Sequence, residues 1–433
     1  MKCYKKSGKI EYDAVVVGSG PNGLSAAIVL QQAGLSVLVL ESKDAIGGGL
    51  RSAELTLPGF LHDVCSAIHP LAANSPFFNK LPLGQYGLDY VYPEVCVAHP
   101  FDDGNAAVLR GSVEDTASKL GIDQEFYIKL MSPLVRSWPN IALDVLAPLH
   151  FPKYPVDIAA FGLNALKSAS SLSRKFKTME ARGLWGGMAA HSIQPFSNIA
   201  TSAIGLVLMT AGHLRGWPVP IGGSKVIANA LSSFFLSLGG TIHTGVHVRS
   251  MKDIPSSRAT LFDLTPRQIL QIAGNLFSPI YKWQLKRYRY GMGVFKIDWA
   301  LDGPIPFTSE DCRNAGTIHL GNTLEEITLS EKLTSQGYHT EKPFVLLAQQ
   351  SLFDKTRAPK GKHTAWAYCH VPNGSEMNMT DMIEKQVERF APGFRDLILA
   401  KHSMNTKEMQ AYNPNYIGGD IYGGVIDIGE PFT

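Results

Sequence analysis

Gly18-Ser19-Gly20-Pro21-Asn22-Gly23, with Glu41 placed 23 residues after Gly18, is the part of this sequence best suited to chemistry. The spacing is G-x-G-x-x-G: the first glycine permits a tight turn, the second lets backbone approach a pyrophosphate, and the third lets a helix pack on a strand. Pro21 and Asn22 open that helix, whose free N–H groups would face the anion. An acid at Glu41 can accept both hydroxyls of an adenosine ribose, and it would repel a 2′-phosphate. The block from Ser42 to Ser52 follows at once. Its glycines 47–49 allow close backbone approach, and Arg51 offers a planar fork of donors to phosphate.

The elements that must hold these residues are legible around them. Residues 13–17 are a short apolar run, as expected of a strand buried on both faces of a parallel sheet. Leu24, Ala27 and Ile28 form an i, i+3, i+4 stripe, Gly34 ends the helix, and residues 36–40 are a second strand closed by Glu41. Strand, glycine turn, helix, strand and acid therefore agree within one short unit.

The rest of the chain sets limits. With 433 residues, 45% of them apolar and 18% charged, it is long enough for two or three ordinary globular domains. Forty basic against 37 acidic residues give a net charge of +3, which does not favour nucleic acid. The five cysteines (3, 65, 96, 312 and 369) form no C-x-x-C, and the histidines form no H-E-x-x-H, so neither a redox dithiol nor a metal site is expected. The start, MKCYKKSGK, is too polar for a signal peptide, and the apolar run 199–211 is too short to span a bilayer. A cytoplasmic protein is expected, with a peripheral membrane contact open through the apolar stretch 142–163.

Several further segments read clearly. Residues 97–110 predict a hairpin turning at Asp103-Gly104-Asn105, Ser112 with Asp115 predicts a helix cap, and Thr323 with Glu326 predicts a capping box. Residues 112–213 predict helices broken by prolines at 133, 139, 148, 152 and 155. Residues 241–248 predict a strand. In 291–301, Phe295, Ile297, Trp299 and Leu301 alternate with Lys296 and Asp298, which predicts a half-buried strand. Strands over 316–320, 343–349 and 364–370 and an amphipathic helix from Thr380 complete an antiparallel sheet backed by helices. The run 282–289, KWQLKRYR, is basic with interleaved aromatics and reads as a solvated helix face, contact with phosphate or an acidic lipid surface being the alternative.

The glycine unit, the acid after the second strand, and then Gly47, Gly48 and Ser52 as G-G-x-x-x-S together resemble the FAD-binding signature of the amine-oxidase and phytoene-desaturase superfamily. Within it the chain looks most like the phytoene-desaturase-like oxidoreductases, through residues 57–63, 66–70, 220–248 and the block Asp263-Leu264-Thr265-Pro266-Arg267-Gln268. The resemblance implies FAD, held by Gly18, Gly20, Pro21, Asn22, Gly23, Glu41, Ser42, Gly47, Gly48, Arg51, Ser52 and the backbone at Val248. It also implies an α/β fold: a Rossmann-like FAD-binding domain over 10–75 and 215–265, and a discontinuous α+β substrate domain, an antiparallel sheet plus helices, over 76–214 and 266–415. Residues 416–433 are expected to be a return segment, without the family's usual last flavin-binding block.

The implied activity is a dehydrogenase or desaturase passing hydride from a hydrophobic or conjugated small molecule to the flavin, with the electron acceptor undefined. Such chemistry leans on the cofactor and asks little acid–base work of the protein. Lys296, Asp298 and His319 are the polar strand residues open to a catalytic role. Two other readings remain: a flavin amine or amino-acid oxidase, and a non-catalytic binding or scaffold protein that keeps the fold.

Overall fold

A computed structural model describes residues 10–147 and 150–426. Cys3, Pro148 and the final residues 427–433 lie outside the described residues. Two sheets organise the chain. The smaller is four-stranded and parallel, in the order Ser257–Phe262, Tyr12–Val17, Val37–Leu40, Thr241–His243. The glycine-turn helix Pro21–Gln32 follows the first of these strands in sequence, with Pro21 at its first position and Leu24, Ala27 and Ile28 fully buried. Against it packs Lys225–Ser237, whose Ile227, Leu231 and Phe235 close the same core.

The larger sheet has seven strands in the order Ile398–Met404, Gly293–Leu301, His363–Val371, Val345–Ala348, Ala315–Leu320, Val95–Pro100, Ala106–Arg110. All its pairings are antiparallel except that of Ala315–Leu320 with Val95–Pro100. One face carries Thr380–Phe390, with Ile383, Val387 and Phe390 buried as their spacing predicts. The other face lies under the helices of residues 113–215.

Four expectations need correction. Gly293–Leu301 is buried along its whole length rather than half-buried, because helices cover both faces of its sheet; Lys296 and Asp298 therefore lie inside the protein. Pro133 and Pro139 do not end a helix but sit within the 22-residue helix Gln124–Val145, where tertiary packing offsets the missing N–H donors. The strand expected over 241–248 pairs only over Thr241–His243. Beyond it the chain is held by Gly245 N to Lys43 O (2.9 Å) and Val246 N to Glu41 O (2.8 Å), which steers Val248 to the end of the second strand. Thr323 caps its helix by accepting from Glu326 N, but the Glu326 carboxylate is drawn away to Arg389.

In the stretch 142–163, Ala142 and Phe161 join the helical core whereas Val156 and Leu163 point outward. Among the described residues no helix is long and apolar enough to cross a membrane.

A buried guanidinium joins the two halves. Arg357, fully buried, donates to Asp63 Oδ2 (2.8 Å), Asp354 Oδ2 (2.6 Å) and Pro220 O (3.0 Å). Asp63 Oδ1 accepts from Ser224 N (2.7 Å) and Ser52 Oγ (2.7 Å), and Asp354 Oδ2 also accepts from Gly222 N (2.8 Å). Removing one partner of such a set leaves buried charge without compensation, at about 3–5 kcal/mol. Arg357→Met is therefore expected to lower unfolding stability by that amount in urea titrations, and a loss below about 1 kcal/mol would show the node to be dispensable.

Candidate functional site

The glycine turn is built for close approach. Gly18 adopts φ +109°, which favours glycine, while Gly20 has φ −65° and could carry a side chain without backbone strain. What excludes one at Gly20 is space: its Cβ would stand 2.9 Å from Asp263 Oδ2, and a Cβ on Gly48 would stand 3.1 Å from Gly20 Cα. Gly23 has a packing role, since a Cβ there would meet Gly18 O at 2.3 Å.

Glu41 is buried and already well supplied with donors. Its Oε2 accepts from Ser19 N (3.2 Å) and from the Ser19 hydroxyl; its Oε1 accepts from Lys43 N (2.9 Å) and Ser42 Oγ (3.2 Å) and pairs with Arg51 (3.2 Å). A carboxylate offers about four lone-pair sites, so a ribose diol would have to take over one of the long contacts, those of Ser42 or Arg51.

Around this acid runs a cleft of about 650 Å³, walled by Gly18, Gly20, Ser42, Gly48, Arg51 and Val248 among others. A second cleft of about 960 Å³ shares Gly20, Gly48, Asp263 and Asn415 with the first and adds Pro21 and Asn22. It in turn shares Ser66, Tyr416, Ile421 and Tyr422 with a chamber of about 1190 Å³. Through these shared wall residues the three spaces lie side by side as a trench from the acid to the chamber. Of the twelve residues expected to hold a cofactor, Gly47, Gly23 and Ser52 stand outside its walls. Gly47 makes the turn behind it at φ +112°, and Ser52 is a cross-link, donating to Asp63 Oδ1 and accepting from Lys225 N (3.1 Å).

Sequence reasoning marked the block 263–268 without giving it a role. Asp263 ends the edge strand, and its Oδ2 accepts from Gly23 N (3.0 Å) over the glycine turn. Burial raises its pKa, the Gly23 N–H opposes that, and the Glu41 charge adds to it. Gln268 walls the first cleft and donates to Asn415 Oδ1, which also accepts from Thr265 N (3.1 Å). Asn415 and Tyr412 were not anticipated, because they come from 150 residues downstream in a stretch with no periodic signal.

The chamber is apolar and aromatic, with Trp217, Trp366, Tyr368, Tyr416 and Tyr422 in its wall. Lys296 is the one lysine, arginine, aspartate or glutamate among the described wall residues. Its ammonium is bonded to Asp298, which is fully buried behind it with His62 Nδ1 at 3.8 Å and His402 Nδ1 at 3.7 Å. His319 does not reach the chamber; it lies behind His191, with the two Nε2 atoms 3.0 Å apart. The structure thus brings Lys296 and Asp298 together and leaves His319 one residue removed.

The parallel sheet, its glycine turn, its acid and the joined trench define a Rossmann-type dinucleotide-dependent oxidoreductase. A family model for an NAD(P)-binding Rossmann-like domain matches residues 16–81. Pyridine nucleotide-disulfide oxidoreductase domain-containing protein 2 of Mus musculus is 25% identical over 522 aligned positions, covering 98% of this chain and 86% of that protein, and the chain is its homologue. An oxidoreductase from Methanosarcina mazei shares the fold at a TM-score of 0.61 with 18% identity, covering 90% of this chain and 87% of that one. A putrescine oxidase variant does so at 0.58 with 15% identity, covering 93% and 86%.

Two outcomes follow from this geometry. Gly20→Val keeps an allowed backbone but fills the approach to the helix N-terminus. It is expected to abolish retention of added FAD, read by visible absorbance after gel filtration, and to lower the thermal midpoint modestly because its Cβ displaces the Asp263 carboxylate. The second concerns acid. Burial pushes His62, His69, His99 and His213 down to about 4 and His191 to about 3. Unfolded, each titrates near 6.5, so between about pH 6.5 and 4 the unfolded chain binds more protons and stability is lost as pH falls. Each such histidine steepens the loss by up to about 1.4 kcal/mol per pH unit, and denaturation midpoints at pH 7.5, 6 and 5 should fall accordingly.

Proposed function

We propose that the protein is an FAD-dependent dehydrogenase or desaturase that takes hydride from a hydrophobic or conjugated small molecule. The observation that carries this reading is the adjacency of the three spaces, which share wall residues from a ribose-type acid to an apolar chamber with no carboxylate among its described wall residues. A dinucleotide with an extended, planar reactive end suits that shape, and a dicationic substrate does not. In this reading residues 10–75 and 215–265 hold the cofactor, and 76–214 with 266–415 enclose the substrate. A cytoplasmic setting belongs to the same reading, supported by the free and buried Cys65, Cys96, Cys312 and Cys369.

Glu41 would hold the ribose, the N-terminus of Pro21–Gln32 and the backbone around Gly20 and Gly48 would face the pyrophosphate, and Arg51 would add charge there. FAD, when bound, supplies the acceptor for two electrons and a proton. The protein's part is to exclude water with the aromatic wall and to hold substrate against the mouth of the trench. Lys296 presents a buried ammonium to the chamber. Asp298 holds it by a hydrogen bond, so that it can steady negative charge or pass a proton at the chamber wall.

The wider test is anaerobic bleaching of the reconstituted flavoprotein by a panel of apolar alicyclic and conjugated compounds alongside primary amines. Bleaching by amines alone would replace this reading with an amine oxidase. Failure to bind FAD at all would leave a scaffold that keeps the fold. Within it, Lys296→Met is expected to slow flavin bleaching about 10²–10⁴-fold. Because that change strands Asp298, the double variant Lys296→Met/Asp298→Asn is measured beside it. Slow bleaching in both, with full flavin content, assigns the effect to chemistry rather than stability.

A further inference from the structure

Residues 264–297 contain no Asp or Glu. Apart from the buried Lys296, they carry five cations: Arg267, Lys282, Lys286, Arg287 and Arg289. For a chain with 40 basic and 37 acidic residues overall, this is a strong local imbalance. The segment folds as a hairpin of two short helices, Pro266–Ala273 and Pro279–Lys286. Its inner side is anchored by Ile272, Ala273 and Leu285, all buried.

The outer side is not what a solvated basic helix would show. Leu276 is 64% exposed, Ile280 73% and Trp283 58%. Ile280 and Trp283, at i, i+3, share one face of the second helix, and Leu276 stands in the connection that leads into it. Arg287 continues that face and stacks on Trp283, its guanidinium carbon 4.5 Å from the ring centroid. Lys282 and Lys286 flank this ridge, and none of Lys282, Lys286 or Arg287 pairs with a carboxylate among the described residues. Exposed aliphatic and indole side chains flanked by cations that no described carboxylate pairs with are the composition of an interfacial helix. Water solvates the cations well but gains nothing from the indole and the two aliphatic groups, whereas the headgroup layer of a bilayer accommodates both.

We infer that this helical hairpin is a docking surface for an anionic phospholipid bilayer, with Trp283, Ile280 and Leu276 entering the headgroup layer and Lys282, Lys286 and Arg287 contacting lipid phosphate. The position has a consequence for the trench. Gln268 and Ile272 on the first helix wall the cleft around Glu41, and Tyr288, just after the second, walls the middle cleft. The hairpin is thus one side of the trench, and docking brings the binding site to the membrane surface. The inference stands on the charge and exposure of the hairpin and does not depend on the chemistry proposed for the chamber.

The test uses the full chain with vesicles of phosphatidylcholine alone and of phosphatidylcholine mixed with phosphatidylglycerol. Co-sedimentation at low salt is expected with the anionic vesicles only and should weaken as salt rises. Lipids brominated in the acyl chains should quench tryptophan fluorescence, and the quenching should vanish in Trp283→Phe. Each surface cation is worth about fivefold in partitioning, so Lys286→Gln/Arg287→Gln should bind about twenty-fivefold more weakly. Ile280→Ser/Trp283→Ser should not bind detectably. All four side chains are exposed, so circular dichroism of these variants should match the parent. Equal binding to both vesicle types, no binding to either, or variants that bind like the parent would each overturn the inference. So would a parent dimer in ultracentrifugation that Ile280→Ser/Trp283→Ser converts to monomer, because the surface would then belong to a second copy of this chain.

Discussion

The fully buried Arg357 guanidinium, shared between Asp63 and Asp354, is the constraint on which the site depends. Burying one cation and two carboxylates is costly, and the cost is offset only where every lone pair and N–H finds a partner. Here the partners come from distant parts of the chain. Gly222 and Ser224 N–H groups point at the two carboxylates because the turn before Lys225–Ser237 is bent to reach them, with φ of +86° at Gly222 and +99° at Gly223. Ser224 also bonds His69 Nε2 (2.8 Å) and Ser66 O (2.6 Å), and both of those residues wall the chamber. One ionic node therefore sets the spacing between the helix that closes the dinucleotide sheet and the floor of the chamber.

The N-terminal unit was legible because its signal is local. Strand, turn, helix and acid lie within 30 residues, and each glycine answers to one steric fact that spacing alone reveals. Ser52 shows the limit of that approach. It occupies a position of the family signature, yet its hydroxyl is spent on Asp63 and Lys225 N, a use that depends on residues 11 and 173 positions away. Tyr412 and Asn415 reach the first cleft from the far end of the chain, and no pattern in their own neighbourhood points to a ligand. Lys296 and Asp298 were found as polar residues on a strand, but alternation cannot tell water from a cavity on the second face. Only the helices laid over that face, themselves broken in the sequence pattern by prolines that the fold tolerates, turn those two residues from surface groups into a buried pair.

A buried ammonium is kept only if something holds its charge, and for Lys296 that group is the Asp298 carboxylate. Asp298 faces Lys296 on one side and the rings of His62 and His402 on the other, at 3.7–3.8 Å, too far for hydrogen bonds. Burial holds His62 neutral, its pKa down to about 4, so it adds no competing cation near neutrality. Among the described residues the one hydrogen bond of the Asp298 carboxylate is to Lys296. Among its described wall residues the chamber then has one lysine ammonium in a largely apolar, aromatic wall. In a medium of low dielectric such a charge acts over a longer range than it would in water. That arrangement suits a reaction in which negative charge arises at one place only, and it explains how a chamber with so few polar side chains can still direct chemistry to one part of its wall.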